Sequence, residues 1–129
     1  MLDTSPLTAA VERFADRLRA APQSRLQQGA AEVALDLARE LSLRAQRLEA
    51  ASSGAGDAAG AAPARTMPDA GIFVVGDQLA VAGLDLAEAL HAAVAGPAGA
   101  PGPDAAKAPS EELDEAVRLV DQAEARALR

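Results

Sequence analysis

The stretch from Ser24 to Ala51, SRLQQGAAEVALDLARELSLRAQRLEAA, limits what this chain can become more than any other. It is the longest amphipathic run, with no proline and only Gly29 as a weak point. At about 100° per residue, Leu26, Ala30, Val33, Ala34, Leu37, Leu41, Ala45 and Leu48 fall in one broad stripe. Glu32, Asp36, Arg39, Glu40, Gln46 and Arg47 occupy most of the remainder. Ser24 and Gln27 have capping-box spacing, which places a helix start at Ser24. Such a helix is roughly 40 Å long at about 1.5 Å per residue. It cannot bury its stripe alone, so the rest of the chain must supply partners.

Three further helices are expected. Ser5-Pro6 opens the first, over about 6–21, with Ser5 as N-cap and Leu7, Val11, Phe14, Ala15 and Leu18 on one face. Pro22 stops it, and the short gap to Ser24 predicts an antiparallel hairpin of the first two helices, unless the proline merely kinks one longer helix. A third helix is expected over about 69–95, where Ile72, Val75, Leu79, Gly83, Leu86, Leu90 and Val94 form a stripe. Gly76 and Gly83 lie on its same side; each costs about 1 kcal/mol of helix propensity but permits close approach of a neighbour. A hairpin of IFVV and LAVAG competes with helix over 71–82. Helix is preferred because a lone two-stranded hairpin has nothing further to pair with. The last helix is expected over about 110–128, capped by Ser110, with Glu111 and Glu112 at its positive end and Leu113, Ala116, Val117, Val120, Ala123 and Ala127 inward.

Between these elements, about 52–67 and 96–109 read as flexible Gly/Ala/Pro-rich linkers. Gly54, Gly56 and Gly60 lack the preceding strand and the following Lys-Ser/Thr of a phosphate loop. The fold class is therefore all-α, an antiparallel bundle of about four helices in one domain of 129 residues, in up-down-up-down order. Linkers longer than such a bundle needs leave room for other connectivity and for a loosely docked last helix.

With two Phe and no Trp or Tyr, space must be filled by close helix packing around alanine. A formal net charge of −7, with Lys107 the one lysine, argues against nucleic acid. Zero cysteines remove disulfides, thiolate metal sites and thiol catalysis. No apolar run is long enough to span a membrane and no signal-peptide pattern opens the chain, so the expected location is cytoplasmic. Heavy Ala, Arg, Gly and Pro use without Asn points to a GC-rich bacterial source.

Glu88 and His91 have the Glu-x-x-His spacing that di-iron carboxylate bundles use twice. One histidine per chain makes a complete site possible only between two chains, and Glu88 lies outside the stripe. Histidine phosphotransfer domains are also four-helix bundles, but the Lys-Gly expected after the histidine is absent: Val94 and Ala95 stand there. The serines sit at caps, in a linker or on a solvated face, without the base that nucleophilic catalysis requires. No catalytic, cofactor or metal residue is assigned, and the chain is not expected to be an enzyme. A small apolar ligand in an unfilled alanine-lined core is a further possibility.

What stands out is apolar residues away from the main stripes: Val74, Val81 and Leu84 on the third helix, and Leu35 and Leu43 on the second. Val74 and Val81 are one heptad apart. A helix apolar on two sides is central in its bundle or covered by a partner. The sequence therefore points to an accessory or adaptor protein working through protein–protein contact, with another protein or as a homodimer. Histidine-based phosphotransfer or metal binding at His91 is the alternative.

Overall fold

The computed structural model describes residues 2–52, 66–95 and 108–128. The linker readings over 52–67 and 96–109, and the glycines at 54, 56 and 60, lie largely or wholly outside the described residues. The described elements are α1 (Ser5–Ala20), α2 (Gln23–Arg25), a π-type turn (Leu26–Ala30), α3 (Ala31–Ser52), α4 (Val75–Ala95) and α5 (Pro109–Ala127). The four long ones pack together as an all-α bundle.

Each helix begins for a local chemical reason, and several differ from expectation. At α1, Thr4 is the N-cap position and Pro6 lies in the first turn. Asp3 does the capping: its Oδ1 accepts from the Ser5 N–H (2.9 Å) and from the Ser5 hydroxyl. Ser24 does not cap; α2 begins after Pro22, whose extended backbone (ψ 150°) separates it from α1. At α5, Pro109 occupies the first turn and Ala108 the N-cap position, so Ser110 lies inside the helix. Glu111 and Glu112 stand in its first turn and Arg126 in its last, as the helix dipole favours.

The Ser24–Ala51 run is not one continuous helix. Gly29 takes φ 134° and ψ −16°, a conformation closed to most side chains, and the chain kinks there before α3 begins. Leu26 and Ala30 are buried on either side of the kink, which resets the phase of the apolar stripe.

The third long helix also starts later than position 69. Asp69 Oδ1 accepts from Gly71 N–H (3.0 Å) in a side-chain-closed turn, and Gly71 takes φ 103°. Residues 72–74 make one more turn before the helix, and the Val74 carbonyl accepts the N–H of Gln78 (3.0 Å). The segment is pinned from both sides. Arg39 Nε donates to the Met67 carbonyl and Gln78 Nε2 to the Pro68 carbonyl, each at 2.8 Å. No strand occurs among the described residues, so 71–82 is turn followed by helix.

Helix directions follow from who meets whom. α1 and α4 are antiparallel: His91 meets Thr4, Gly83 meets Val11, and Gly76 meets Ala15 and Arg19. α3 and α5 are antiparallel, with Arg44 reaching Glu112 and Glu115 while Ala30 and Val33 share a hollow with Arg126 and Ala127. α3 and α4, however, run parallel: Leu26 to Arg39 lie along Asp69 to Gln78, and Glu49 lies by Asp85 and Ala92. The order is up, down, down, up, not up-down-up-down. α1 packs on α4 and α5, α3 packs on the same two, and α1 and α3 are not packed neighbours, so the expected helical hairpin does not form. The last turn of α3 and the first turn of α4 therefore lie at opposite ends of the bundle, about 33 Å apart along α3 at 1.5 Å per residue.

The core between these helices holds Leu7, Phe14, Leu18, Leu41, Leu79, Leu86 and Leu90, all fully buried, with alanines such as Ala34, Ala38, Ala82 and Ala116 setting the close spacing. α3 serves two neighbours, so its buried arc is wider than one stripe. It takes in Ala31, Leu35 and Ala38 as well as Ala34, Leu37 and Leu41.

Candidate interaction surface on α4

α4 is placed by its glycines. A Cβ on Gly83 would stand 2.7 and 2.9 Å from the two methyl carbons of Val11, and one on Gly76 would stand 3.3 Å from the Ala15 carbonyl oxygen. The absence of these two side chains lets α1 lie against α4 almost backbone to side chain. Leu79, Leu86 and Leu90 then point into the core, and the face of α4 turned away from both neighbours carries Val81 and Leu84. Val81 is 54% exposed and Leu84 53%. Thr8, Val11, Glu12, Ala80, Gly83 and Leu84 line a hollow of about 30 Å³, the space of a methyl group, where α1 and α4 meet.

The five residues singled out by sequence divide. Val81 and Leu84 are on the open face, and Val74, 36% exposed, sits at the cap of α4 in the preceding turn. Leu43 is half-buried on α3. Leu35 is not surface: it is 9% exposed, belongs to the core cluster, and shares the α3–α4 cleft with Ile72 and Val75. Its removal from the set follows from the wide arc by which α3 contacts both α4 and α5. Sequence reading also missed Phe73, the most exposed large apolar residue at 75%. IFVV suits a helix or a strand equally, and neither marks Phe73, whereas the turn at 72–74 presents it to solvent.

The rim of this apolar strip is acidic. α4 contains no Lys or Arg over its whole length. Its Asp77 is bound by Arg19 through two nitrogens (2.6 and 3.1 Å), and Arg19 also holds Asp16 at 3.0 Å. Hydrogen bonding to Asp77 raises the Arg19 pKa further. Glu12 on α1 and Asp85 and Glu88 on α4 are exposed, and among the described residues none of the three has a basic partner. The other arginines of α1 face elsewhere: Arg13 and Arg17 both reach Glu124 of α5, at 3.2 and 3.1 Å.

His91 lies at the same edge of α4. Its Nε2 is 3.2 Å from the Thr4 hydroxyl, the two sharing a hydrogen bond, and Glu88 is exposed one turn away. Among the described residues no group of three His, Asp or Glu side chains is arranged to hold a metal ion. A larger cleft lies elsewhere, about 500 Å³ between the Gly29 kink and the 69–78 segment. Its lining mixes Leu35, Ile72 and Val75 with Asp36, Arg39 and Asp69, which differs from an alanine-lined apolar hollow. Gln78 also borders it, with Oε1 buried and unpartnered. Among the described residues no helix is long and apolar enough to cross a membrane.

The fold and this surface together define a four-helix bundle whose third long helix is seated by glycines and left apolar on its outer side. No protein-family model, curated protein or solved structure matches the chain.

Proposed function

We propose that this protein is a cytoplasmic accessory or adaptor that works through protein–protein contact, with the outer face of α4 as the contact surface. The observation that carries this reading is the pairing of Val81 and Leu84, one turn apart and each more than half exposed. Scattered exposed apolar residues are ordinary. These two lie one turn apart on one helix, Leu84 borders a methyl-sized hollow, and Val74 and Phe73 are exposed at the head of the same helix. Covering a Val or Leu side chain is worth about 1.5–3 kcal/mol, enough for a few such residues to dominate a contact.

The test is an affinity capture from native lysate with wild type and Val81→Ser/Leu84→Ser side by side, with helicity followed by circular dichroism. Both side chains are outside the core, so the variant is expected to keep its helix content and to lose a stoichiometric partner. Equal recovery of that partner by the variant would sink the proposal.

A further inference from the structure

We infer that the occupant of the α4 face is an amphipathic helix of another protein, apolar along one seam and basic along its flanks. The inference rests on the contact reading above and adds the chemistry of the partner. Three observations lead to it. The apolar part is narrow and linear, running from Val74 at the cap to Val81 and Leu84 on the helix, with the small hollow beside Gly83 and Leu84. That shape accepts a helix laid in a shallow groove, its anchors repeating every three or four residues. The strip is bounded by carboxylates: Glu12 on the α1 side, Asp85 and Glu88 on α4 itself, all three lacking a basic partner among the described residues. The nearby cations are already committed, Arg19 to Asp77 and Asp16, and Arg13 and Arg17 to Glu124.

The same charges disfavour a second copy of this chain. Two α4 faces brought together would set Asp85 and Glu88 of one against Asp85 and Glu88 of the other, with no Lys or Arg on either helix to separate them. Like charges juxtaposed across an interface oppose association, whereas Lys or Arg flanks on a partner helix would pair with all of them. A strip only a few residues long also falls short of the roughly 800 Å² per partner of a standard interface unless the rim takes part. The rim therefore selects the partner, and the aliphatic strip holds it.

The experiment uses the full chain and two synthetic amphipathic peptides of about 18 residues that share a leucine seam, one flanked by lysines and one by glutamates. Binding is followed by fluorescence anisotropy at two salt concentrations. The lysine-flanked peptide is expected to bind, to weaken as salt rises, and to be preferred over the glutamate-flanked one by about tenfold or more. Glu12→Gln/Asp85→Asn/Glu88→Gln should weaken it about fivefold and flatten its salt dependence. Neutralising carboxylates away from the strip, in Glu32→Gln/Asp36→Asn, should leave binding unchanged; that arm separates a specific rim from general attraction to an acidic protein. Val81→Ser/Leu84→Ser should weaken binding at least about tenfold.

If the glutamate-flanked peptide binds equally or better and is still lost in Val81→Ser/Leu84→Ser, the contact surface stands and the basic partner is refuted. Equal weakening by the two neutralising variants, or no binding of either peptide, refutes the basic partner as well. A dimer in sedimentation equilibrium that Val81→Ser/Leu84→Ser dissociates would assign the face to a second copy, again against the inference. Peptide binding indifferent to Val81→Ser/Leu84→Ser would overturn the surface itself.

Discussion

Gly83 of α4 and Val11 of α1 are so close that a single carbon added at Gly83 would stand 2.7 Å from Val11 Cγ1. Val11 is β-branched and 2% exposed, so it has no easy rotamer into which to retreat. Gly83→Ala would gain about 1 kcal/mol of helix propensity and lose about 1–3 kcal/mol to overpacking. The expected net result is destabilisation in urea titration. Val11→Ala placed in the same chain should recover part of it, and strictly additive losses in the double-mutant cycle would show that the two residues do not meet.

Gly29 is the opposite case. Nothing lies within 4 Å of the position its Cβ would take, yet its φ is 134°. Gly29→Ala should therefore cost about 1–3 kcal/mol through backbone strain alone. Removing side chains around it should give no rescue. An unchanged unfolding midpoint would mean that the kink does not require glycine.

The clamp between α1 and α5 should respond unequally to removal of its two sides. Glu124 has only 8% of its side chain exposed, whereas Arg13 and Arg17 are half in water. Arg13→Ala/Arg17→Ala strands a buried carboxylate and should cost about 3–5 kcal/mol. Glu124→Leu releases two arginines that can turn to solvent, and should cost clearly less. The comparison is made by chemical denaturation at one pH; equal losses would argue that Glu124 is solvated in solution.

Arg44 of α3 holds the start of α5 through Glu115 at 2.7 Å and Glu112 at 3.4 Å, and is itself braced by Glu40 of α3 at 2.7 Å. Burial alone would lower the Arg44 pKa, but hydrogen bonds to Glu115 and Glu40 overcome that and leave it raised, so the group stays charged. Arg44→Met should leave three carboxylates crowded together and cost about 2–4 kcal/mol at neutral pH. Removing one of the crowded charges relieves the repulsion, so Arg44→Met/Glu115→Gln should recover part of the loss in urea titration. A double variant no more stable than Arg44→Met would mean that only packing was lost.

Asp3 offers a direct titration. Its carboxylate accepts from the side chain and backbone N–H of Ser5, which lowers its pKa below the ordinary 3.8. A folded-state pKa below the unfolded one means that the cap contributes above about pH 4 and is lost as pH falls through the folded value. The Ser5 amide resonance should therefore titrate with a midpoint below 3.8, and Ser5→Ala should move the Asp3 midpoint back up. A midpoint at or above 3.8 in the wild type would show that the cap does not form.

Much of this architecture could be read from residues alone. The inward faces of α1 and α5 follow their apolar periods, and the paired glycines of α4 announced a close neighbour before its identity was known. What periodicity hid has physical causes. Gly29 breaks a run whose apolar pattern continues across it, since a kink preserves hydrophobicity while changing phase. Leu35 reads as surface on a single stripe and is core because α3 has two neighbours. Glu124 looks like any exposed carboxylate, and only the arrival of two arginines from α1 makes its burial tolerable. Helix order was hidden for a different reason: apolar stripes specify that helices pack, while the partner of each depends on matching surfaces far apart in the chain. On the candidate surface, Val81 and Leu84 were legible as misfits to the stripe. Phe73 was not, because the turn that exposes it is closed by Asp69 and Gly71.

The parallel course of α3 and α4 has a consequence for how the molecule assembles. α1 and α3 emerge first and are not packed against each other, so the first half of the chain lacks a core of its own. Phe14, Leu41 and Leu79, from three different helices, are buried together only with α4 seated against both α1 and α3, and the α1–α5 clamp joins positions more than 100 residues apart. Simple up-down bundles zip through local contacts and fold fast; this one must close long loops first, which slows the search. α4 is thus the keystone of the folding reaction as well as the bearer of the exposed strip, and any partner that covers it meets a helix whose seating completes the fold.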